Sequence, residues 1–140
     1  MDNLRLFEIE NDDSYFALEY KSGSFEVIYR SCGIECRFEC DTSAENVFYF
    51  YMSLDTAYDI EFARNSKAVL SGMDADNTQL TFQFDDKCRC KVSGHIRNKS
   101  ARYRNGFEFE MDIEQSDVCS VLISLDKFLK EYKQIHGNIL

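Results

Sequence analysis

The chain has 140 residues, 44% of them hydrophobic, and a formal net charge of −9. That length suits a single domain, 1–140, able to bury about 70% of its unfolded surface. No apolar run is long enough to span a membrane, and the acidic, alternating start MDNLRLFEIENDD is unlike a signal or transit peptide. A cytoplasmic protein is therefore expected.

The 12 Phe and 8 Tyr, with no Trp, favour sheet, and the absence of Pro excludes a Pro-rich linker. In a cytoplasmic chain of this size the 6 Cys read as reduced thiols rather than a disulfide framework. Charge is unevenly placed. Residues 1–62 carry 14 acids against 4 bases, net −10, whereas residues 63–140 carry 11 acids against 12 bases, net +1. An acidic first half disfavours nucleic acid and suits a basic protein partner drawn in by electrostatic steering.

Alternation of apolar and polar residues dominates the chain. Leu4 to Ile9 and Ser14 to Tyr20 read as strands joined across the turn-forming Asn11-Asp12-Asp13. Ser24 to Ser31 and Ile34 to Asp41 flank Cys32-Gly33. A two-residue turn there sets Ser31 against Ile34, Tyr29 against Cys36, Val27 against Phe38 and Phe25 against Cys40. Every inward pair is then apolar or small.

Thr42 with Glu45 fits a capping box, and Val47, Tyr51, Leu54 and Tyr58 follow at helical spacing. The run Val47 to Met52 is apolar on every side, so this helix must be covered broadly or present a patch.

Lys67 to Gly72 and Thr78 to Phe84 are the next two strands. A turn at Asp85-Asp86-Lys87 would place Phe84 against Cys88, Phe82 against Cys90 and Leu80 against Val92. Beyond it, Lys91 would face Glu108 and Arg89 face Glu110 across the loop Asn98-Lys99-Ser100-Ala101. The inward pairs would be Val92–Phe107, Cys90–Phe109 and Cys88–Met111. Gly94 and Gly106 permit a bulge that shifts this register. A last helix starts at Ser116, carries the stripe Val118, Leu122, Leu125, Leu129 and Tyr132, and stops at Gly137. The predicted fold is thus α+β. It is an antiparallel meander of seven to eight strands with two helices, about 43–58 and 116–134, packed on it.

Catalytic and metal chemistry finds little foothold. Cys32, Cys36 and Cys40 recur every four residues and Cys88 and Cys90 face inward, but no CxxC knuckle exists, so neither zinc nor any cofactor is expected. His95 and His136 lack a nucleophile motif or a second imidazole, and no GxSxG, P-loop, GxGxxG or HExxH pattern occurs. Lys87, Arg89, Lys91, Arg97, Lys99, Arg102 and Arg104 form an acid-free run. It is answered in part by Glu108, Glu110 and Asp112 on the neighbouring strand.

The strand Leu80-Thr81-Phe82-Gln83-Phe84 is followed by Lys91-Val92-Ser93-Gly94-His95-Ile96. Phe107-Glu108-Phe109-Glu110-Met111-Asp112 comes next, and then a closing helix with Leu125, Phe128 and Leu129. Over about residues 66–132 this pattern resembles bacterial immunity-type proteins of polymorphic toxin systems, including the wall-associated toxin immunity group. The resemblance implies inhibition of a toxin by tight binding and transfers no catalytic residue.

A non-enzymatic protein-binding module is therefore expected, possessing an acidic surface with a few aromatic anchors. The candidate contact residues are Glu35, Glu39, Asp41, Tyr49, Tyr58 and Asp59. The alternatives are a structural or self-associating domain, dimerising through the apolar helix or a sheet edge, and a small-ligand binder.

Overall fold

The computed structural model describes residues 3–59, 66–74, 76–85, 89–99 and 106–139. Four strands, β1 (Asn3–Glu10), β2 (Ser14–Lys21), β3 (Ser24–Ser31) and β4 (Ile34–Cys40), lead into helix α1 (Ala44–Tyr58). Four more, β5 (Lys67–Ser71), β6 (Thr78–Phe84), β7 (Cys90–Arg97) and β8 (Gly106–Ile113), lead into helix α2 (Gln115–His136). The chain thus runs twice through a four-stranded antiparallel meander followed by a helix.

The strands form two sheets, β1-β2-β3-β4 and β5-β6-β7-β8, rather than the single meander expected from the sequence. Each sheet has one apolar face, and one apolar cluster joins both sheets and both helices. Facing the sheets together covers both surfaces, which two helices on one eight-stranded sheet could not do. Phe16 of β2 stacks on Phe109 of β8 at 5.1 Å, Tyr29 of β3 lies on Phe107 at 4.9 Å, and Phe7 meets Phe82 edge-on at 6.1 Å. α2 packs along β1 and α1 along β5. Tyr20 and Phe25 meet Phe128 of α2 at 6.0 and 6.2 Å.

Turn chemistry fixes the first sheet. Ser22-Gly23 and Cys32-Gly33 both hold positive φ, at 50° and 89° and at 53° and 77°, the geometry whose twist matches a two-residue hairpin. The β3–β4 register is the predicted one, with Tyr29 opposite Cys36 and Val27 opposite Phe38. A bulge between Arg5 and Phe7 turns Leu6 and Phe7 both into the core, where they are 0% and 1% exposed.

Strand identity and facing in the second sheet follow the alternation, but its registers differ from those predicted. Phe84 pairs with Cys90, Phe82 with Val92 and Leu80 with Gly94, a slide of two residues. The turn is longer because Asp85 closes it: its N–H donates to the Arg89 carbonyl (3.0 Å) and its carboxylate accepts from Arg89 N–H (2.9 Å). Cys88 lies outside the described residues.

Between β7 and β8 the slide is four. Lys91 faces Asp112, His95 faces Glu108, Val92 faces Met111 and Cys90 faces Ile113. Gly94 sets this register: it faces Phe109, whose ring occupies the space that any Cβ at residue 94 would need.

Both helix starts differ by one residue from the sequence reading. Ser43, not Thr42, caps α1, accepting from Asn46 N–H at 3.2 Å, while Thr42 is buried and donates to the Ser71 carbonyl at 3.0 Å. α2 begins at Gln115, with the Glu114 N–H donating to the Asp117 carboxylate at 2.9 Å. It ends at Gly137, whose φ of 84° suits glycine.

Gly94→Ala is a direct test of the β7–β8 register. An unobstructed strand glycine gains about 0.5–1 kcal/mol on becoming alanine. Here overpacking against Phe109 should instead cost about 1–3 kcal/mol, read from the urea midpoint.

Candidate functional site

α1 is apolar nearly all round, and only one side of it is buried. Ala44, Val47, Phe50, Leu54 and Ala57 face the core. On the outer side, Glu45, Tyr49, Met52, Thr56 and Asp59 follow one another at intervals of three and four, a single helical stripe. Tyr49 is 52% and Met52 48% exposed, both well beyond what a packed helix leaves open. Asp55 stands beside the stripe, and α1 contains no basic residue. Carboxylates thus ring two large, soft apolar side chains.

The flank between the helices is half-buried. The Tyr58 hydroxyl bonds the Cys119 thiol, and burial followed by that bond raises its pKa. Burial also raises the pKa of Tyr51, reinforced by the charges of Asp126 and Asp55. Ile123, 66% exposed, lies on the same flank of α2 as Cys119 and Asp126. Of the residues singled out from the sequence, Tyr49 and Asp59 share the outer stripe and Tyr58 borders it. Glu45, Met52 and Asp55 were not anticipated, although their spacing from Tyr49 carries the signal.

Glu35, Glu39 and Asp41 lie elsewhere. Glu35 is paired with Arg30 at 3.4 Å and Glu39 with Lys99 at 3.5 Å, both on the outer face of the first sheet. Asp41 is only 6% exposed. Its carboxylate accepts from Asp74 N–H at 3.1 Å and Asn77 Nδ2 at 3.5 Å, closing the β5–β6 loop. Its role is internal, and Asp41→Ala should cost about 1–3 kcal/mol in stability, measured by chemical denaturation. The rest of that face is a charge network. Arg5 binds Glu8 and Glu19 at 2.7 Å each, Tyr15 donates to Glu8 at 2.6 Å, and the Arg30 guanidinium sits 4.1 Å above the Tyr15 ring. Many of the acids counted in the sequence are thus engaged within the sheet.

The outer face of the second sheet is polar and gently hollow. Two open depressions of about 470 and 860 Å³ lie along it, the first lined by Gln79, Thr81, Ser93, His95, Glu108 and Glu110. His95 Nδ1 is 3.0 Å from Glu108, an orientation familiar from acid–base sites, with Ser93 two residues away on the same face. The other nitrogen, Nε2, is however turned to the Asp76 carbonyl at 3.2 Å. The imidazole therefore ties the β5–β6 loop to the sheet.

Among the described residues no three His, Cys, Asp or Glu side chains stand together as a metal site. Cys40 and Cys90 are buried, which pushes their thiols up to about 11 and about 12, whereas Cys32 is exposed. Alkylation at mildly alkaline pH should label Cys32 first and leave Cys40 and Cys90 protected until unfolding. An unperturbed thiol ionises near 9.0. Between that pH and about 11 the unfolded chain loses thiol protons that the folded chain retains, so stability should fall as pH rises through this window. A denaturation series against pH reads this directly.

No family model matches the chain, and no curated protein or solved structure is significantly similar to it. Among the described residues no helix is long and apolar enough to cross a membrane.

Proposed function

We propose that this protein is a non-enzymatic binding module of the immunity or inhibitor kind, which works in the cytoplasm and neutralises a basic toxin domain docked on the outer stripe of α1. The observation that carries the reading is the composition of that stripe. Tyr49 and Met52 stand half exposed at its centre, Glu45, Asp55 and Asp59 surround them, and no base interrupts it. An aromatic anchor inside a ring of one charge matches the anatomy of protein-binding hot spots. The charge would speed encounter with a basic partner and the anchor would slow its release.

Two further features support binding over catalysis. Aromatic rings fill the space between the sheets, and the hollows on the surface are open rather than enclosed. The likeness of residues 66–132 to immunity proteins points the same way.

The test is affinity capture from native cytoplasm on the immobilised chain. A basic protein should be retained at low salt and released at high salt. Tyr49→Ala should weaken it by about 2 kcal/mol, roughly 30-fold. Asp55→Lys should weaken it too, whereas Glu110→Lys on the second sheet should not. Capture of no basic protein, or capture indifferent to Tyr49 and Asp55, contradicts the reading.

A further inference from the structure

Each sheet has two edge strands, and an edge offers unpaired backbone groups to any strand that fits. α2 packs along β1 and α1 along β5. The outward row of β8 is Glu108, Glu110 and Asp112, so a second copy pairing there would set carboxylate against carboxylate. β4 differs from all three. Its outward row, Glu35, Arg37 and Glu39, alternates in sign, and its other row begins with Ile34, 68% exposed, followed by half-buried Cys36 and Phe38.

We propose that β4 pairs with β4 of a second copy of this chain, antiparallel and centred on Cys36, fusing two four-stranded sheets into one. In that register Glu35 of each copy faces Arg37 of the other, Ile34 faces Phe38, and Cys36 faces itself. The exposed isoleucine is covered, and both charge pairs are complementary.

Neighbouring symmetric registers fail. Centring on Arg37 puts arginine against arginine and Glu35 against Glu39. Centring on Glu35 puts that carboxylate against itself. Centring on Phe38 pairs Arg37 with Glu39, but the Glu39 carbonyl already accepts from Lys99 N–H at 3.0 Å, and Cys40 and Asp41 just beyond are buried.

The same bond shows which backbone groups lie on the free side. The Glu39 carbonyl points away from β3, so by alternation do the N–H and C=O of Glu35 and Arg37. Each Glu35–Arg37 pair can exchange these groups. Cys36 then occupies a non-hydrogen-bonded pair, where facing Cα atoms stand roughly 4.5 Å apart, within the span of a disulfide. The intramolecular partners of the two charged residues, Arg30 for Glu35 at 3.4 Å and Glu19 for Arg37 at 3.7 Å, are exposed contacts that can be shared or exchanged.

Sedimentation velocity over a concentration series, together with oxidative crosslinking, tests the pairing. The wild type should show a concentration-dependent monomer–dimer equilibrium. Glu35→Arg and Arg37→Glu should each weaken it at least about tenfold. An equimolar mixture of the two variants should restore association, because every facing pair is then opposite in sign. Diamide, accepting the two thiol protons and electrons as the Sγ–Sγ bond forms, should give covalent dimers that survive Cys32→Ser and vanish in Cys36→Ser. A monomer at every concentration, a variant mixture that stays monomeric, or crosslinks that need Cys32 rather than Cys36 would overturn the proposal. Tyr49→Ala should dimerise like wild type, which separates this result from the fate of the α1 surface.

Discussion

The aromatic layer between the two sheets is the contact on which the rest of the molecule depends. Phe16 and Tyr29 from the first sheet interleave with Phe107 and Phe109 from the second, while Phe7, Phe50 and Phe82 join β1, α1 and β6. Such pairs contribute about 0.5–1.5 kcal/mol each beyond their buried area. They also commit positions: Phe109 can lie flat against Phe16 only because Gly94 leaves room for its ring. The two halves, each four strands and a helix, are consequently held mainly by side chains. Among the described residues no strand of one sheet pairs with a strand of the other, and the Lys99 N–H to Glu39 carbonyl bond is a main-chain link between them.

That layer leaves the outer surfaces free to differ. The first sheet's outer face spends most of its charge on itself, in the network around Arg5 and Glu19. The second is polar and open. α1 carries the exposed aromatic and sulfur side chains, and β4 carries an edge of alternating charge. The docking proposed for the helix and the self-pairing proposed for the strand edge use separate residues, so the two proposals stand independently.

How much of this can be read from the chain depends on what fixes each feature. The β3–β4 register is legible because Cys32-Gly33 pins both strands with a turn that tolerates no slippage. The registers of β6, β7 and β8 are not, because alternation reports only parity: sliding by two or four residues leaves every phenylalanine facing inward. What decides between those slides is the closing of the turn by Asp85 and the slot at Gly94, both tertiary matters. Alternation is equally silent on which sheet a strand joins, hence one meander expected and two found. At the surface, Tyr49 and Asp59 could be placed on one helical stripe by spacing. Asp41 could not be recognised as internal, since its partners lie 33 and 36 residues away.

Both sheets share one core and therefore stand or fall together. Hydrogen exchange with increasing denaturant tests it most directly, following backbone amides in β2 and β7. Protected amides in both strands should converge on a single opening free energy equal to that of global unfolding. Two separate isotherms, with the second sheet opening while the first stays protected, would contradict it.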